Sequence, residues 1–148
     1  MEIEQLNLDQ WLSVLKPYQI KTITNLVQKY GEEEAAKIWI ESKGPINTVT
    51  FGGLPSNTQN RNYYEALKLE IHKFICGQDN YKEERKKIIG TGDVINTAVS
   101  TKMAVIFSPI IGVSVPVLLP ALLLILKAIS KISVNAFCSM SFNEENKE

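Results

Sequence analysis

Apolar and polar positions recur with the period of a helix as far as residue 93, and beyond it the polar positions thin out until they vanish. Near the start, Leu8, Trp11, Leu12 and Leu15 stand at i, i+3, i+4 and i+7, a single apolar stripe that predicts a short amphipathic helix over residues 6–15. Asn7 is placed to cap it, Gln10 to complete a reciprocal capping box, and Leu6 with Trp11 has the spacing of a hydrophobic staple. Pro17 suits the first turn of a second helix, with Ile20, Ile23, Val27 and Tyr30 on one face and Gly31 as its stop. Glu32, Glu33 and Glu34 favour the positive end of a third helix. That helix carries Ala35, Ala36, Trp39 and Ile40 inward and ends at Lys43-Gly44-Pro45.

Residues 44–60 break the pattern: Ile46, Val49 and Phe51 sit among Gly, Pro, Asn, Ser and Thr, the composition of a loop or small hairpin. A fourth helix follows over residues 61–75, with Tyr64, Leu67, Ile71 and Phe74 on one face and Gly77 after it. Asn80 with Glu83 makes a second capping box, opening a charged helix that ends at Gly90. Asp93 is then placed to cap a helix beginning at Val94 and Ile95.

From here the pattern changes kind. Residues 103–126 contain no charge and are bracketed by Lys102 and Lys127. As one helix the run would be about 36 Å long, enough to cross a bilayer core of about 30 Å with some tilt. Pro109, Pro116, Pro120 and Gly112 interrupt it, so a hairpin of two apolar helices turning at residues 108–116 is the economical alternative. The second arm would run through Leu122, Ile125 and Ile129 to Phe137. The fold class is therefore all-α: a head of about five short helices, then an apolar, proline-interrupted transmembrane helix or helical hairpin. In domains this reads as a soluble head over 1–92, a hydrophobic module over 93–138 and a polar tail over 139–148.

Charge sharpens the division. The 148 residues hold 16 basic and 16 acidic groups, yet 12 and 13 of these lie within residues 1–93, and residues 94–143 hold three lysines and no acid. The cysteines, Cys76 and Cys138, are far apart and have no neighbouring His or Cys, so reduced thiols in a cytosolic setting are expected, not a disulfide. The acidic N-terminus lacks the apolar core of a secretory signal.

A membrane accounts for the run most directly. Met103, Val105, Ile106, Phe107, Ile110, Ile111, Val115, Val117, Leu118, Leu119, Leu122, Leu123, Leu124, Ile125 and Leu126 are then the inserting side chains. Arg85, Lys86, Lys87, Lys102, Lys127 and Lys131 flank them at the headgroups, their N-terminal excess holding the head at the cytoplasmic face of the cell membrane. No Trp or Tyr borders the run, so the usual aromatic belt is missing. The competing reading keeps the protein cytoplasmic, with residues 94–138 as a buried core hairpin packed on by the head.

Chemistry changes this picture little. His72 is the one histidine, and the interval from Arg61 to His72 is too long for a compact helical RNase motif. Phe51-Gly52-Gly53 lacks a lysine at phosphate-loop spacing, and neither cysteine has the partners of a nucleophile. Glutamates beside the 82–87 cations cancel much of their field, so no nucleic acid is expected. No catalytic, cofactor or metal site is assigned.

The expectation is a non-enzymatic, membrane-associated protein whose head senses or binds a partner while the hydrophobic module inserts in, or permeabilises, the bilayer. Its partners would be membrane lipid and either another protein or further copies of itself. Toxin-like and phage-defence effectors share this architecture, an analogy of plan and not of motif. The alternative is a soluble all-α interaction or regulatory module, using the 44–60 segment for recognition.

Overall fold

The computed structural model describes residues 2–43, 62–77, 81–89 and 94–140. It is mostly helical, with eight helices and one minimal two-stranded sheet among the described residues, in accord with the all-α class. The 44–60 segment, the Asn80 cap, Gly90 and Asp93 lie outside the described residues.

Local chemistry sets the head. In α1 (Leu8–Leu12) the Gln10 N–H donates to Asn7 Oδ1 at 2.8 Å, and the Asn7 N–H donates to Gln10 Oε1 at 2.9 Å, closing the capping box. Pro17 opens α2 (Pro17–Tyr30). Gly31 stops it at φ 88, a value open to glycine at little cost, and its carbonyl accepts the Ala35 N–H of α3 (Glu32–Lys43). Ala35, Ala36, Trp39 and Ile40 of α3 are buried as their spacing requires. Asn62 caps α4 (Tyr63–Ile75), which buries Tyr64, Leu67, Ile71 and Phe74. The charged α5 (Lys82–Ile89) buries nothing. Tyr81, just before it, is buried with its ring 5.6 Å from Phe74 and 5.5 Å from Phe107.

Two boundaries differ from the pattern. Val94 and Ile95 do not open a helix: they form β2 (Val94–Ile95), paired parallel with β1 (Glu2–Ile3) in the register Glu2 to Val94 and Ile3 to Ile95. The cap is Asn96, whose side chain accepts the Val99 N–H at 3.0 Å and starts α6 at Thr97. The two β-branched residues before it are left to pair with the N-terminal strand, burying Ile3 and Ile95. At the other end, α7 (Val115–Ile132) stops short of Phe137. Ser133 breaks the chain at φ 110, and a separate short helix, α8 (Val134–Cys138), follows.

The apolar run is thus a hairpin of α6 (Thr97–Ile111) and α7, turning at Gly112 in left-handed geometry. Every residue from Leu118 to Leu126 is buried. α3 packs most extensively on α7, and α6, α1, α8, α4 and β1 take its remaining sides. The head helices and the hairpin share one hydrophobic core.

Candidate functional site

With no metal cluster of His, Cys, Asp or Glu among the described residues, the distinctive feature is the hairpin and the way it is held. α7 is the one described helix long and apolar enough to cross a membrane, and 61% of that stretch is buried inside the protein.

A proline explains one of the hold points. A proline within a helix leaves the carbonyl four residues earlier without its N–H partner. Pro120 strands the Pro116 carbonyl in this way, and the Gln19 amide of α2 reaches it, Nε2 donating at 3.0 Å. Gln19 is itself buried, and its Oε1 accepts the Lys16 N–H at 3.1 Å, so one side chain caps α2 and repairs α7. Beside it the Trp39 indole of α3 donates to the Val117 carbonyl at 2.7 Å. Pro109 lies inside α6 without ending it. The carbonyl it strands belongs to Val105, a position 58% exposed, where water can satisfy it.

The base of the hairpin is held by charge and by a covalent bond. Glu32 opens α3 and faces the end of α7, where Lys131 Nζ lies 2.7 Å and Lys127 Nζ 3.4 Å from its carboxylate. The Glu32 and Lys127 side chains are each only 14% exposed, so this pair is screened less than a surface one. Gln5 Nε2 donates to the Ser130 carbonyl at 2.8 Å. Cys76, at the end of α4, forms a disulfide with Cys138 of α8 across 62 residues of sequence. This overturns the expectation of two reduced thiols: the pairing is made by tertiary packing, which brings the ends of α4 and α8 together around α7. Phe137 is buried beside the bond, its ring centroid 5.2 Å from that of His72.

The residues expected to enter a bilayer divide into two sets. Met103, Phe107, Ile111, Leu118, Leu119, Leu122, Leu123, Leu124, Ile125 and Leu126 are buried in the core, while Ile106, Val115 and Val117 are half-buried. Val105 and Ile110 are 58% and 55% exposed, and Pro109 between them is exposed too. Of the flanking cations, Lys127 and Lys131 meet Glu32, and Arg85 donates to the Phe74 carbonyl at 3.2 Å. Lys86, Lys87 and Lys102 stand exposed.

Sequence reasoning missed Gln19, Glu32 and Trp39 as hairpin contacts. For Gln19 a signal existed, since Pro120 inside an apolar helix implies a carbonyl in need of a donor. Two features of the fold cost stability. The Trp11 indole N–H is buried without a hydrogen-bond partner among the described residues, a cost of about 1–3 kcal/mol. Ser133 holds a backbone geometry that is nearly glycine-only, φ 110 with ψ 152.

Compared with models of protein families, with curated proteins and with solved structures, the chain matches none.

Proposed function

We propose that the chain is a non-enzymatic, membrane-associating protein that holds an apolar hairpin in covered form and presents the outer face of α6 as its first contact with lipid. The observation that carries this reading is that face. Val105, Ile106, Pro109 and Ile110 follow helical spacing, two of them more than half exposed, on a helix whose only charge is Lys102 near its first turns. An uncharged apolar strip ending in an uncharged turn suits the headgroup–acyl boundary. Behind it lies α7, which has the length and composition to follow. The polar contacts of Gln19, Trp39 and Glu32 then act as releasable holds, so covered and inserted forms are two packings of the same helices.

Carbonate washing of membranes from cells that make the full chain tests this. Retention in the pellet, with release by detergent, is the expected result. Recovery of the whole population as a compact soluble monomer refutes it.

A second reading, a soluble all-α interaction module with the hairpin as permanent core, draws on the burial of 61% of the long apolar stretch. Under it the α6 strip is covered by another protein chain and the wash releases everything.

A further inference from the structure

The Cys76–Cys138 bond does more than join two helix ends that packing brings together. It closes a covalent loop running from the end of α4 to α8, and the entire α6–α7 hairpin lies inside that loop. Both cysteines are half-buried and not enclosed in the core.

The joint next to the bond is strained. Ser133 is the one described non-glycine residue at positive φ, and it sits between two helices that would otherwise be continuous. Such geometry persists only where the surroundings over-determine it. Ser133 itself is exposed and borders an open groove of about 450 Å³, together with Glu2, Gln5 and Asn135, so its own side chain is not packed in place. What holds α8 is the Ser133 hydroxyl, which accepts the Ala136 N–H at 3.1 Å, Val134 packed against the core, the buried Phe137, and the bond to Cys76.

We propose that the Cys76–Cys138 disulfide is a redox clasp on the hairpin. When a dithiol reduces it, α8 leaves α4, Ser133 relaxes into helical geometry, and α7 continues through Cys138. In the exchange, a thiolate of the reductant attacks one cysteine sulfur and expels the other as a thiolate. The second reductant thiol then displaces the first cysteine from the mixed disulfide. Two electrons and two protons pass to the protein, and the reductant leaves as its own disulfide. A helix over residues 115–138 is about 36 Å long, against about 27 Å for α7 alone, so reduction brings the arm to the thickness of a bilayer core. The link between clasp and bilayer rests on the membrane reading above. The clasp itself does not.

The test uses the full chain in three forms: oxidised, reduced with dithiothreitol, and as the Cys76→Ser/Cys138→Ser variant. Amide hydrogen exchange over residues 115–138, far-ultraviolet circular dichroism and flotation with phosphatidylglycerol–phosphatidylcholine vesicles are followed for each. Beyond the general rise that the lost cross-link gives every helix, reduction is expected to speed exchange in α8 by roughly a further tenfold with helicity retained, and to raise the vesicle-bound fraction. Ser133→Gly, which keeps the bond and removes the strain, is expected to shrink the response to reduction. Unchanged exchange at α8, loss of helicity there, or acceleration at α8 no greater than the general rise that the lost cross-link gives every helix each overturns the clasp. Faster exchange at α8 with no vesicle binding in any form supports the clasp and sinks the membrane reading.

Discussion

The two arms of the hairpin are nearly alike in composition and opposite in circumstance. α6 has one lysine and α7 has two near its end, and both carry a proline within the helix. Yet α7 is enclosed from Leu118 to Leu126 by α3, α6, α1 and their neighbours, while α6 leaves Val105, Pro109 and Ile110 to solvent. The prolines make the same point at atomic scale. The carbonyl stranded by Pro109 belongs to an exposed residue, whereas the one stranded by Pro120 is met by Gln19. Hydrophobicity says that an arm avoids water; only its neighbours say whether protein or lipid does the covering.

A charge placed in each arm separates them most sharply. Leu123→Lys buries an unpaired ammonium at the centre of α7, a penalty of several kcal/mol. The cooperative transition in circular dichroism should disappear. Val105→Lys on α6 faces water and should shift stability by no more than about 0.5 kcal/mol. A folded head in Leu123→Lys would mean that α7 is not core.

Opening the covalent loop comes next. Loop-closure entropy for a 62-residue separation puts the loss at about 4 kcal/mol, read as a lower denaturant midpoint for the reduced protein. An unchanged midpoint would show the bond to be unformed in solution.

Gln19→Ala should cost about 1–3 kcal/mol by leaving the Pro116 carbonyl without its donor and α2 without its cap. Pro120→Ala restores a backbone N–H to that carbonyl, so the cost of Gln19→Ala should fall in its presence. Strict additivity of the two changes would break the proposed repair.

The division between the arms was only partly legible in sequence. Capping was legible because it is local: Asn7 with Gln10, Pro17 and Gly31 act within a turn or two of themselves. The apolar stripes of the head were legible for the same reason, and α3 and α4 bury the residues their spacing marked. At Asp93 and Asn96 two good caps competed, and pairing of Val94 and Ile95 with the distant N-terminal strand decided for the second. Nothing local joins Cys76 to Cys138 or Glu32 to Lys127, since those pairs exist only once the helices have packed. The break at Ser133 follows from where α8 is anchored and not from any helix-stopping residue.

Smallest in effect are the tyrosines of the head. Burial, followed by the charges of Glu33, Glu65 and Glu34, raises the Tyr64 hydroxyl above its ordinary value of 10.0. Burial and then a hydrogen bond to Glu70 do the same for Tyr81. A raised folded value favours the neutral form, so this contribution is complete below pH 10 and is lost as pH climbs past it. Spectrophotometric titration should show two tyrosines ionising late, with stability declining over the same alkaline range.

The most direct measurement of the central claim is vesicle flotation of the intact chain against its Val105→Lys/Ile110→Lys variant, both checked for native circular dichroism. If the open face of α6 is the first contact with lipid, the unmodified protein floats with anionic vesicles and the equally folded variant stays behind. Flotation of both alike, or of neither, contradicts it.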